Sequence, residues 1–67
     1  MTYYIALGQY QDDATILCIS KNKQKVIDYL YNNFKYVEKY DEYSYYCENE
    51  RYIDCYSVLI KKVKEID

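Results

Sequence analysis

The sequence predicts a small α+β domain of ββαββ order, an antiparallel four-stranded sheet with one helix packed on one face. Two observations carry this. Runs rich in aromatic and β-branched residues flank a single stretch of helical periodicity, and within each flank two such runs lie close enough to pair as a hairpin. The length sets the scale, because 67 residues leave room for one domain (1–67) with a thin core, and a chain this short buries only about 60% of the surface it exposes when unfolded.

The first strand is expected over Thr2 to Tyr10, where Tyr3, Tyr4, Ile5, Ala6 and Leu7 suit a pleated surface. Ala14 to Ile19 is the second, short and continuously apolar. Gly8, the only glycine, together with Asp12 and Asp13, supplies residues that tolerate a turn between them. Strand two stops at Ser20, a residue able to cap a helix. Beyond it Val26, Ile27, Leu30, Tyr31 and Phe34 recur at spacings of three and four, which marks one buried face and predicts a helix over 21–34. Asn32 and Asn33 favour an end near Phe34, although Val37 would extend the stripe. After an acidic linker, Glu42 to Glu48 and Tyr52 to Val63 read as strands three and four around a polar turn at Asn49 and Glu50. In strand three Tyr43, Tyr45 and Cys47 alternate with Ser44, Tyr46 and Glu48, and neither set is purely polar.

Twelve tyrosines, with no histidine, tryptophan or proline, set the functional reading. Tyrosine offers wide contact area and a hydroxyl with little rotamer entropy to lose, and it is enriched where proteins meet partners. One short helix covers one face of a sheet, so the other face must meet water or another molecule. A core this small cannot hold twelve phenol rings, so part of them should lie on that uncovered face and make it adhesive.

Catalysis finds little support. Without histidine, triads of the Ser-His-Asp or Cys-His type are impossible within one chain, and a small interior offers few places to desolvate a carboxylate. A single glycine excludes a glycine-rich phosphate loop. Cys18, Cys47 and Cys55 form no C-x-x-C pair, so neither a metal site nor any cofactor is expected. Cys47 and Cys55 could face each other across a hairpin, but in a chain without a secretory signal a reduced thiol pair is the expectation. No run reaches the ~18 to 20 apolar residues of a membrane span.

Charge is unevenly spread. Residues 36–57 carry Glu38, Asp41, Glu42, Glu48, Glu50 and Asp54 against Lys39 and Arg51, a net of −4 within a chain of net −2. Seven of the twelve tyrosines fall in the same segment. The candidate partner-binding residues are therefore Tyr36, Tyr40, Glu42, Tyr43, Tyr45, Tyr46, Glu48, Glu50, Tyr52, Asp54 and Tyr56. Two binding readings follow. In the first, this acidic aromatic segment docks on a basic surface of a larger protein, imitating the phosphates and bases of nucleic acid. In the second, sheet tyrosines stack on single-stranded nucleic acid or a nucleotide, a reading weakened by the acids beside them. A homo-oligomer that pairs its own tyrosine face is a third possibility.

The stretch from Tyr3 to Leu30 also resembles the opening of short proteins abundant in phages and mobile elements of low-GC bacteria. Tyr3 or Tyr4, Ile5, Gly8, Gln9, Tyr10, Asp12, Ile16, Ser20, Lys25, Val26 and Tyr29 carry the resemblance. It covers under half of the chain, with Gln9 in place of the usual acid and Val26 in place of the usual alanine. The resemblance implies a ββα start and a phage-like setting. The resemblance implies no activity, but small acidic proteins of that setting often bind host machinery, so the expected role is an inhibitor or host-takeover protein, for example an anti-defence or anti-CRISPR-like one, in the cytoplasm of a bacterial host cell.

Overall fold

A computed structural model describes residues 1–49 and 55–66. Element order is β1 (Thr2–Tyr10), β2 (Asp13–Ser20), α1 (Lys23–Asn33), β3 (Tyr36–Asp41), β4 (Ser44–Glu48) and β5 (Cys55–Lys64). The five strands form one sheet in the order β2-β1-β5-β4-β3, and every neighbouring pair is antiparallel. The architecture is thus α+β with one helix, but five strands replace the expected four. The added strand is β3, formed by the segment read as an acidic linker. Val37, which extends the helical stripe in sequence, instead lies opposite Cys47 in the β3–β4 ladder.

Non-local pairing explains the sheet order. The first and last strands lie side by side at the centre, in register from Thr2 opposite Lys64 to Gln9 opposite Ser57. This closes the chain on itself and leaves β2 and β3 as the two edges.

Local chemistry accounts for the turns, with two departures from expectation. The β1–β2 turn is made by Gln11, whose φ of 54° is the only positive one among the described residues, and by Asp12. Gly8 is not part of that turn. It is a buried strand residue, and a Cβ built there would lie 2.9 Å from Leu17 Cδ1 and 3.0 Å from Tyr56 Cδ1. Its missing side chain is therefore a matter of volume, since two neighbours occupy the space. The helix cap is Asn22 in place of Ser20: Asn22 Oδ1 accepts from the Gln24 N–H at 2.9 Å, satisfying an orphan donor of the first turn. Ser20 Oγ supports that cap by accepting the Asn22 N–H at 3.1 Å. At the other end the Phe34 N–H closes on the Leu30 carbonyl at 3.0 Å.

Val26 and Leu30 point from α1 into a core completed by Ala6, Tyr45, Cys47, Val58 and Ile60. Tyr4, Leu17, Cys18, Ile27, Phe34, Val37 and Tyr56 pack around it. A β-bulge accommodates Leu17: Ala6 pairs with Cys18 while Leu7 pairs with Ile16, so β2 spends one extra residue there. Phe34 meets the Tyr56 ring edge to face, with centroids 5.9 Å apart. Burial of each large aliphatic side chain in this cluster contributes about 1.5–3 kcal/mol.

Candidate functional site

Alternation along the strands, together with the observed registers, fixes what lies opposite the helix. Because Ala6, Val58, Ile60, Tyr45 and Cys47 face α1, the intervening residues share the other face. Cross-strand rows can be read across it. Ile16, Leu7, Leu59 and Ser44 form one row, and Ile19, Ile5 and Lys61 form the next. Tyr3 and Val63 follow at one end. At the opposite corner Glu38 pairs with Tyr46, and Tyr36 with Glu48.

Among the described residues no element covers this face, and its aliphatic side chains are correspondingly exposed: Ile16 and Ile19 by 60%, Val63 by 43% and Leu59 by 42%. Ile5 and Leu7 are half-buried between them. The bare face is therefore mainly aliphatic over β2, β1 and β5, with phenols and carboxylates confined to the β3–β4 corner and Tyr3 to one end. A tyrosine surface was expected there, and the difference follows from parity: the pleat sends Tyr45 inward and Tyr46 outward, so only part of the tyrosine-rich segment reaches this side.

The predicted contact residues consequently separate. Tyr45 is 2% exposed and belongs to the core, its phenol acidity suppressed first by burial. Tyr56 is half-buried against Phe34. Tyr43 is exposed on the helix side of the sheet, where Lys23 Nζ stands 4.0 Å from its ring centroid, a cation–π contact that ties the start of α1 to the β3–β4 hairpin. Tyr40 and Glu42 are exposed on β3 and in the following turn. Tyr36, Tyr46 and Glu48 are brought together on the bare face. Glu50, Tyr52 and Asp54 lie outside the described residues. The residues that sequence reasoning missed are Ile5, Leu7, Ile16, Ile19 and Leu59; the signal available was the unbroken apolar run of β2, too apolar for an edge strand with one wet face.

At the phenol–carboxylate corner, Tyr46 Oη donates to Glu48 Oε2 at 2.9 Å and Tyr36 Oη to Glu38 Oε2 at 3.3 Å. The two rings meet edge to face with centroids 6.4 Å apart. Both phenols are harder to ionise than usual, Tyr46 chiefly through its hydrogen bond to Glu48 and Tyr36 chiefly through the charge of Glu38. This corner presents carboxylate charge and neutral aromatic surface, an arrangement that repels phosphate and attracts cationic groups.

Reactive chemistry is not favoured at Cys18 and Cys47. Burial pushes the Cys47 thiol up to about 11, and burial likewise raises Cys18, partly offset by a backbone hydrogen bond from Ala6. The thiolate is the nucleophile, so these shifts suppress it. Cys47 and Cys55 do not form the conceivable cross-hairpin bridge, because Cys55 lies opposite Glu48 and Cys47 opposite Tyr56, which directs the two sulfurs to opposite faces. Among the described residues no group of three histidine, cysteine or carboxylate side chains is placed to hold a metal, and no helix is long and apolar enough to cross a membrane. No protein-family model, no curated protein and no solved structure matches the chain.

Proposed function

We propose that the chain is a non-enzymatic protein-binding module and that the bare face of its sheet is the docking surface. The observation carrying this is the pair of adjacent rows Ile16–Leu7–Leu59 and Ile19–Ile5, aliphatic side chains aligned on a face that α1 does not reach. Contiguous apolar surface of this kind marks interaction sites on small proteins. The Tyr36–Glu38–Tyr46–Glu48 corner adds charge at one end, so the complementary partner carries an apolar patch bordered by lysine or arginine. The resemblance of residues 3–30 to phage and mobile-element proteins directs the search for that partner to bacterial host proteins, with inhibition or host takeover as the expected role.

The test uses Leu59→Lys, which places a charge in the middle of the rows at a position open enough to leave folding intact by circular dichroism. Protein immobilised from the wild-type sequence should retain a specific partner from bacterial lysate, and Leu59→Lys should lose at least 90% of it. An apolar dye such as ANS should bind the wild type and bind the variant several-fold less. Retention and dye binding that ignore Leu59→Lys would overturn the proposal. Salt-sensitive binding of a single-stranded oligonucleotide would replace it with the stacking reading.

A further inference from the structure

The sheet has two edges, and the chain furnishes them differently. β3 carries Glu38, Lys39 and Asp41 within its six residues, and charged side chains along an edge deter pairing with another chain. β2 carries no charge from Ala14 to Ser20 and no proline, while its two isoleucines are among the most exposed aliphatic side chains of the described residues. Among the described residues it has β1 on one side and no strand on the other. An edge strand exposes a row of backbone donors and acceptors that another strand can complete.

We propose that the other strand is β2 of a second copy of this chain, paired antiparallel about a two-fold axis so that two five-stranded sheets become one of ten. Charge placement selects this occupant. Asp12 and Asp13 precede the uncharged run and Lys21 follows it. An antiparallel copy runs the opposite way, so the acidic end of each β2 lies beside the basic end of the other, and the symmetry produces this match twice. Parallel pairing would set like charges together. A foreign strand would have to bring the same arrangement by coincidence, whereas a second copy carries it by construction.

Register supports the same partner. Residues opposite one another in an antiparallel ladder project to the same face. The bulge at Leu17 places Ile16 and Ile19, three residues apart, both on the bare face, opposite Leu7 and Ile5. Pairing Ile16 of each copy with Ile19 of the other obeys the face rule, and counting outward brings Ala14 level with Lys21 of the second copy, so that Asp13 stands one position from that lysine. The aliphatic rows then run unbroken across the junction. This inference uses the edge of the sheet, so it stands independently of the docking proposal for the face.

Sedimentation velocity on the full chain from 10 μM to 1 mM tests it. The weight-average mass should rise from the 8.2 kDa of one chain toward twice that value, and added salt should weaken the association. Asp13→Lys and Lys21→Asp should each weaken it at least fivefold, and the double variant carrying both should recover most of the loss. Leu59→Lys, on the face and away from the edge, should leave it unchanged. A chain monomeric at 1 mM overturns the inference, as does a dimer indifferent to the charge changes. Association abolished by Leu59→Lys and untouched by Asp13→Lys also overturns it, since the copies would then be stacked face to face.

Discussion

Two leucines placed on opposite faces of the sheet region give a direct test of whether one face is packed and the other bare. Leu30 is fully buried, whereas Leu59 keeps 42% of its surface exposed. Truncating either to alanine removes three carbons, a transfer loss of about 2.4 kcal/mol when burial is complete. At Leu30 the closed surroundings of Val26, Tyr45 and Ile60 add a cavity penalty, bringing the cost of Leu30→Ala to about 3–4 kcal/mol. Leu59 loses only part of its transfer contribution and leaves a dent open to water, so Leu59→Ala should cost about 1 kcal/mol. A chain of 67 residues has a total stability of about 3–10 kcal/mol, so the first change removes a large share of it and the second does not. Urea unfolding followed by far-ultraviolet circular dichroism at low micromolar concentration measures both as monomers. If Leu30→Ala proves too unstable, Val26→Ala, two carbons smaller and equally enclosed, should cost about 2–3 kcal/mol and serves in its place. Equal losses at Leu59 and Leu30 would refute the reasoning, because they would mean that the second face is packed as tightly as the first.

Two further outcomes follow from the same geometry. Asn22→Ala removes the acceptor of the Gln24 N–H and should lower stability by about 1 kcal/mol, with the same urea assay as the check and no loss as the contrary result. The Cys47 thiol is harder to ionise in the folded chain than in the unfolded one, at about 11 against 9.0. A group whose folded value is raised stabilises the fold below its unfolded value and loses that contribution as pH climbs to the folded one. Comparing the wild type with Cys47→Ala, the thiol-specific part of stability should be flat up to pH 9 and decline between 9 and 11, and alkylation of Cys47 at pH 8 should require prior unfolding.

Part of this fold is legible in the sequence for local reasons. The range of β1 and the buried stripe Val26–Leu30 depend on residues that are neighbours in the chain, so their periodicities of two and near 3.6 survive inspection. β3 is illegible for the converse reason. Tyr36–Asp41 buries little of itself and becomes a strand because β4 offers it a ladder. Gly8 misleads because glycine is read first as backbone freedom, while here the requirement is volume beneath Leu17 and Tyr56. The tyrosines mislead through parity: adjacent Tyr45 and Tyr46 have the same composition and opposite fates, one in the core and one hydrogen-bonded to Glu48 on the bare face.

The chain alone determined that a single helix would shield one side of an antiparallel sheet, since a single amphipathic stripe is all the helical surface it encodes. Only the tertiary structure decided which side chains the other side presents. That choice depends on the central pairing of β1 with β5 and on the bulge in β2, contacts between residues far apart or out of simple alternation, which set isoleucine and leucine at the centre of the bare face and left phenols at its ends.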